Sequence, residues 1–319
     1  TSFEWEDRTY SLYESSWKEQ RQYIDNVINK LPEQLKQIAL EQFQERTICH
    51  ANQKAAPYQE IEINDYTIKI NEHGAINSLI VNGIQYASST NELGKLQYTV
   101  LGNDSYEKLR RQYLRDMDKH FWGIDFLKPG IELQNEIVNT TTYDTYVKEI
   151  TRDDNKVIVE LYISEEATNK FGAPQTMFIE YIFTDILEIN IKLADKDAIR
   201  YPEIISFGFN PLVNNKSRYK IEKLGQQINP LDIVANGNKS MHSIDDKILY
   251  DATDKRFTIE AVDSRILSIG KIDNLDFDKY DTDINNGFNF HLLNTTWGTN
   301  FTMWYEEDIH SKFKLNFNK

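Results

Sequence analysis

The stretch WGTNFTMWYEED, residues 297–308, sets two tryptophans, a phenylalanine and a tyrosine directly before three acids. Trp297, Phe301, Trp304 and Tyr305 with Asn294 and Asn300 combine flat apolar faces and amides. A sugar ring asks for that mixture, because its CH faces stack while its hydroxyls need paired donors and acceptors. Glu306, the first of the acids Glu306, Glu307 and Asp308, extends the candidate ligand set, although a solvated strand end accounts equally well for three adjacent acids. A glycosidase needs two carboxylates at a separation set by the fold rather than by sequence spacing, so 50 Asp and Glu leave that pair unassigned. Of the six histidines, His242 lies in the turn-rich NGNKSMHS, where functional groups are often carried, whereas His291 in FNFHLLN alternates with apolar residues as a strand residue would. No i, i+4 histidine pair of a zincin is present, so no metal ligands are assigned to this chain. Gly-x-Ser-x-Gly, Walker and dinucleotide-binding spacings are also missing, which disfavours hydrolase-elbow, NTP and NAD chemistry.

The elements that would position these residues fall in two parts. Up to about residue 46 the apolar period is helical, with Tyr10, Tyr13, Trp17, Ile24, Val27, Ile28 and Leu31 on one stripe. Pro32 opens a second helix carrying Leu35, Ile38, Ala39 and Phe43. Two such stripes ask for a further surface to pack against. From about Tyr58 the period becomes two, through IEIN, YTIKI, KVIVELYI, TMFIEYIF, LEINIKL, FNFHLLN and KFKLNF. Asn82-Gly83 between apolar runs is a hairpin signal, and Asp153 to Asn155 marks another turn. These runs predict a helical segment over 1–57 and a large antiparallel β-sandwich over 58–319, interrupted by one helix near 104–118.

Composition narrows the partners. With 36 Lys and Arg the chain carries a net charge of −14, which repels a phosphate backbone and excludes nucleic acid as a favoured partner. The single Cys49 rules out an internal disulfide and suits a reducing compartment, so a cytoplasmic location is expected. No apolar run reaches the about 18 residues of a membrane span, and TSFEWEDRTY lacks the regions of a signal peptide.

Several segments carry a resemblance. GFNFHLLNTTWGTNFTMWYEED followed by FKLNF, with RYPEIISFGFNP, KLGQQINPLDIVANGNKSMHSID, DFLKPGIEL and the N-terminal SWKEQRQYIDNVINKLP, resembles the C-terminal part of a bacterial and fungal group. That group is itself similar to the α-mannosidases of glycoside hydrolase family 38. The resemblance implies a galactose-mutarotase-like β-supersandwich preceded by the end of a helical bundle. It also implies that the zinc and the nucleophilic aspartate belong to an N-terminal catalytic barrel of the parent protein, absent from this chain, so no cofactor is expected here. Carbohydrate is the implied ligand, with Trp297, Asn300, Trp304 and Tyr305 as rim candidates. One alternative is a self-contained mutarotase- or lyase-type enzyme, with His242 and either Glu203 or Tyr201 as acid and base. Another is a domain that only buttresses the barrel.

Overall fold

The computed structural model describes residues 11–42, 47–113, 116, 138–199, 201–235, 237, 241–272, 275, 283–297 and 304–317. The chain divides into two compact units, Thr1–Cys49 and His50–Lys319. In the first, α1 (Ser11–Ile28) and α2 (Glu33–Gln42) are joined by a turn in which Leu31 N donates to Ile28 O at 3.1 Å. Pro32 stands just before α2, its carbonyl accepting from Lys36 N, because a residue without an N–H costs a helix nothing at that end. Ile28 is buried, while Ile24, Val27, Leu35 and Ile38 are exposed. Tyr10 and Phe43 lie outside the described residues.

The second unit is the sandwich, and it begins earlier than the predicted boundary at residue 57. Its strands are β1 (Gln53–Ala55), β2 (Ile61–Ile63), β3 (Tyr66–Ile70), β4 (Ile76–Val81), β5 (Ile84–Ala87), β6 (Leu93–Val100), β7 (Thr141–Asp144), β8 (Tyr146–Arg152), β9 (Lys156–Tyr162) and β10 (Thr176–Phe183). They continue with β11 (Leu187–Ala194), β12 (Glu203–Phe209), β13 (Tyr219–Lys223), β14 (Gln226–Ile228), β15 (Met241–Ser243), β16 (Lys247–Asp251), β17 (Arg256–Ala261), β18 (Ile266–Ile269), β19 (Phe288–Asn294) and β20 (Ile309–Asn316). The short β1 shows no apolar alternation because it only extends a sheet edge, through Lys54 opposite Thr151 of β8. Among the described residues two α-helices interrupt the strands: α3 (Asn103–Tyr113), over the first part of the helix predicted near 104–118, and α4 (Glu165–Phe171). Among the described residues no helix is long and apolar enough to cross a membrane.

Sheet I runs β1-β8-β9-β10-β11-β20-β17-β16-β13-β14. Sheet II runs β15-β18-β19-β12-β6-β4-β3-β2, with β5 on β4 and β7 on β6. The pairs are antiparallel, as the period-two pattern requires. Between the sheets Phe207 and Phe209 of β12 and Phe290 of β19 meet Phe313 of β20, with ring centroids 5.1–5.4 Å from Phe313. Both sheets bury one face there, which is why apolar residues alternate with polar ones along the strands.

In β6 one residue breaks that alternation. Leu93, Leu96, Tyr98 and Val100 of β6 all enter the core, although Leu93 and Leu96 are three apart. The register slips at this point, with Phe209 opposite Leu93 but Gly208 opposite Lys95, leaving Gly94 as an extra residue. This bulge turns Lys95 onto the outer face of sheet II. Gly94 adopts φ +83°, and a Cβ there would stand 2.7 Å from the Tyr181 hydroxyl and 3.0 Å from Phe207 Cζ. We expect Gly94→Ala to destabilise the fold by about 2–4 kcal/mol, combining left-handed strain with overpacking. Gly83→Ala, at φ +79° with nothing near its Cβ, should cost only about 1 kcal/mol. Urea unfolding of the two variants side by side checks this, and equal losses would remove the bulge from the account.

Candidate functional site

The outer face of sheet II carries an array of hydrogen-bonding side chains around a concavity. Directly paired residues share a face, so the register places three rows side by side. In the first, Asp144 of β7, Gln97 of β6, Ser206 of β12 and His291 of β19 follow one another across four strands. Lys95, Gly208, Asn289 and Ser268 of β18 form the second. Thr142, Thr99, Ile204 and Asn294 form the third.

Gln97, Lys95, Gly208, Asn289 and Thr142 of these rows line a groove of about 580 Å³ together with Glu92 and Asn210, while Ser206, Thr99, Ile204, Ser268 and His291 are buried beside it. Gly208 keeps the floor low, since a Cβ there would lie 2.9 Å from Asn289 Oδ1. Asp144 Oδ1 accepts from Gln97 Nε2 at 2.8 Å and faces Lys95 Nζ at 3.1 Å. Burial pushes the Asp144 carboxyl up, but the hydrogen bonds from Gln97 and Lys95 and the lysine's charge outweigh it and hold the group below its ordinary range. Glu92 accepts from Asn71 Nδ2 at 2.7 Å, and Lys216 Nζ binds Asn210 Oδ1 at 2.9 Å and the Asn285 carbonyl at 2.8 Å. The groove is therefore polar, with its floor cation already matched to an anion. Ser206 Oγ is buried with no hydrogen-bond partner among the described residues.

At the other end of β19 the polar network reaches the aromatic segment. Asn294 Oδ1 accepts from Thr296 N at 2.9 Å, which fixes the amide so that Nδ2 faces His291 Nδ1 at 3.0 Å. A bare Nδ1 leaves the ring proton on Nε2, which donates to Ser268 Oγ at 2.8 Å. A serine nucleophile needs the opposite tautomer, with a bare Nε2 accepting the hydroxyl proton. His291 thus ties strands together rather than activating Ser268. Tyr106 of α3 closes over this end, donating to the Thr296 carbonyl at 2.6 Å.

The sequence-derived candidates separate on this frame. Trp297 follows Thr296 and is half-buried, and Tyr305 is half-buried with its hydroxyl donating to Asp308 O at 3.2 Å. Trp304, expected on the rim, is only 2% exposed and is a core residue, since an indole has more apolar surface to hide than its neighbours. Glu306, Glu307 and Asp308 are exposed just before β20, as a solvated strand end would be. Asn300 and Phe301 lie outside the described residues.

His242 is not in a loop but on the edge strand β15, buried, with Nδ1 3.4 Å from Lys223 Nζ. Its register runs through Leu267 and Phe290 to Phe207, four residues along β12 from Glu203. Three strand spacings across and four residues along amount to roughly 14 and 13 Å. The acid–base grouping of His242 with Glu203 or Tyr201 is therefore not assembled. Glu203 is fully buried, with Lys196 Nζ 2.7 Å from Oε1 and the Tyr98 hydroxyl 2.8 Å from Oε2. Burial and then the Glu203 charge hold the Tyr98 hydroxyl well above its ordinary range, so it stays a donor. Tyr201 is buried with its ring 5.6 Å from that of Phe171. This cluster anchors the segment between β11 and β12. Among the described residues one metal-ligand-like set, His50, Glu149 and Glu160, gathers on the outer face of sheet I. Lys54 and Lys148 hold its carboxylates at 2.5 and 2.6 Å, so it is an ion-pair network as it stands.

Asp144, Lys95, Gln97 and Asn289 were not singled out in the sequence. Their alternation with Leu96, Tyr98 and Phe290 reads as the wet side of any half-buried strand. The one available signal is EIISFGF, where the small residues Ser206 and Gly208 fall on the same face and permit close approach.

Residues 3–190 match the model of a family described as "Domain of unknown function (DUF5054)". The chain belongs to that family. A comparison with curated proteins yields no match. Among solved structures, this DUF5054 chain is similar to an α-mannosidase from Enterococcus faecalis V583, at 10% identity and a TM-score of 0.45 over 83% of this chain and 30% of that one. It is also similar to a galactose mutarotase-like protein from Lactobacillus casei ATCC 334, at 12% identity and a TM-score of 0.45, covering 82% and 99% of the two chains. A galactose mutarotase related enzyme from Lactobacillus acidophilus gives 11% identity, a TM-score of 0.41 and coverage of 82% and 97%. The chain thus spans less than a third of the mannosidase it resembles.

Burial lowers the His291 pKa from 6.5 to about 4. Above pH 6.5 neither the folded nor the unfolded imidazole is protonated. Between pH 6.5 and 4 the unfolded chain takes up the proton and the native one does not, so stability falls with pH. We expect this group to remove about 3 kcal/mol between pH 7 and pH 4. Urea unfolding at both pH values should show a correspondingly smaller loss for His291→Gln, and identical losses would contradict a buried neutral imidazole.

Proposed function

We propose that this chain is a carbohydrate-associated β-sandwich of a glycoside hydrolase-like parent, shaping or binding at a sugar site without performing the hydrolysis itself. The observation that carries the reading is the outer face of sheet II. Carboxylate, amide, hydroxyl and amine groups line one concave surface there, the chemistry that pairs with a polyol's alternating donors and acceptors. Trp297, three residues beyond β19, is half-buried against the core and is kept as an aromatic candidate for stacking. Trp304 is withdrawn from that role by its burial.

The sequence resemblance to family 38-like proteins supports placing a catalytic barrel before this chain, with any zinc held there. In this reading the barrel is the protein partner and carbohydrate is the ligand. A mutarotase- or lyase-type reading loses its acid and base, since His242 and Glu203 stand on separate parts of sheet II.

Titration calorimetry with neutral oligosaccharides, mannotriose included, tests the reading. Gln97→Ala and Asn210→Ala should each weaken binding at least tenfold, or about 1.4 kcal/mol, while the melting temperature stays close to that of the unaltered chain. Absence of heat with every neutral oligosaccharide would defeat it. The chain alone should also release no product from an aryl α-mannoside, with or without added zinc. Turnover abolished by substituting one of its own acids would transfer the function to a self-contained enzyme.

A further inference from the structure

Resting on that carbohydrate reading, we infer that the groove on sheet II selects neutral glycans over uronate-containing ones, and that Asp144 is the residue that sets this preference. A sugar carboxylate needs an arginine or lysine whose donors are open. The described lining contains no arginine, and the cation in its floor, Lys95, is 3.1 Å from Asp144. Gln97, which would otherwise offer its amide N–H groups to an acid, donates one to the same Asp144 oxygen at 2.8 Å. Lys216 is turned to Asn210 and the Asn285 carbonyl. Lys271 is exposed at the margin, where water and salt screen it. Glu92 lines the groove and Asp144, outside the lining, holds two of its residues, Gln97 and Lys95, so two carboxylates act on the floor in a chain of net charge −14.

Neutral hydroxyls meet no such obstacle. They donate to Glu92 and accept from the amides that line the groove. A uronate brings a third negative charge beside two others and finds its natural partner occupied. Asp144 sits one strand outside Gln97, on β7, and the Gly94 bulge is what brings Lys95 round to meet it. The preference is thus built into the strand register rather than into a single loop.

A matched pair of probes isolates the effect: mannotriose and the corresponding trimannuronate, which differ only in oxidation at C6. Titrated against the full chain in low salt, mannotriose should bind at least tenfold more tightly. Asp144→Asn keeps the shape and the acceptor for Gln97 but frees the Lys95 charge, and should narrow that gap at least tenfold. Asp144→Glu keeps the charge and should keep the gap. Thermal melts of both variants establish that they are folded before titration. Equal binding of the two probes by the unaltered chain, or an unchanged gap in Asp144→Asn with Asp144→Glu folded and discriminating, overturns the role of Asp144 while leaving the carbohydrate reading standing. Binding of neither probe by any of the three proteins defeats both together.

Discussion

Where β6 crosses sheet II, its two-sidedness hangs on one extra residue. A strand alternates its side chains without exception, so four core positions that include both Leu93 and Leu96 cannot share a face unless the chain slips once between them. Gly94 supplies the slip, and its positive φ is open to glycine at little cost. Past the bulge Leu96, Tyr98 and Val100 stay in the core while Lys95 and Gln97 face the groove. The hydrophobic filling of the sandwich and the polar floor above it are consequences of the same backbone feature. A second slip in register, between Ile205 and Ser206 against β19, brings His291 opposite Ser206 and so completes the first polar row.

Where charge is buried, it is matched locally. Lys196 and Glu203 have almost no side-chain exposure and stand 2.7 Å apart, with the single Tyr98 hydroxyl proton shared between Glu203 and the Phe171 carbonyl. Taking both ions from water is expensive, and only such close geometry with further hydrogen bonds recovers the cost. The cluster therefore specifies how the segment after β11 returns to β12 more than it adds stability. His291 solves the same problem differently, remaining neutral with both ring nitrogens satisfied. Lys95 and Asp144 lie between these cases: each is about a third exposed, close enough to neutralise one another and open enough to meet a ligand.

Much of this was legible in the linear order of residues. The helical period before Pro32, the change to period two near Tyr58 and the Asn82-Gly83 hairpin follow from local stereochemistry, because helix and strand periodicities and positive-φ turns depend on residues within a few positions of one another. The antiparallel sandwich follows as well, since strands that alternate apolar and polar residues with short turns have few other ways to bury one face. His291 alternates with apolar residues in FNFHLLN as a strand residue does, and the structure buries it on the outer face of sheet II.

Tertiary structure alone decided which residues meet. Asp144 and Lys95 are far apart in sequence, and nothing local distinguishes them from the many other charged residues on strand surfaces; the β6–β7 register makes them a pair. Trp304 and Tyr305 are adjacent and chemically similar, yet burial depends on what lies across the core, so one is sealed and the other half-open. His242 looked loop-borne because glycine and asparagine precede it, but three residues suffice for an edge strand when β18 supplies the hydrogen bonds. Sequence determines which face a side chain takes relative to its neighbours; only the register between strands determines what stands beside it.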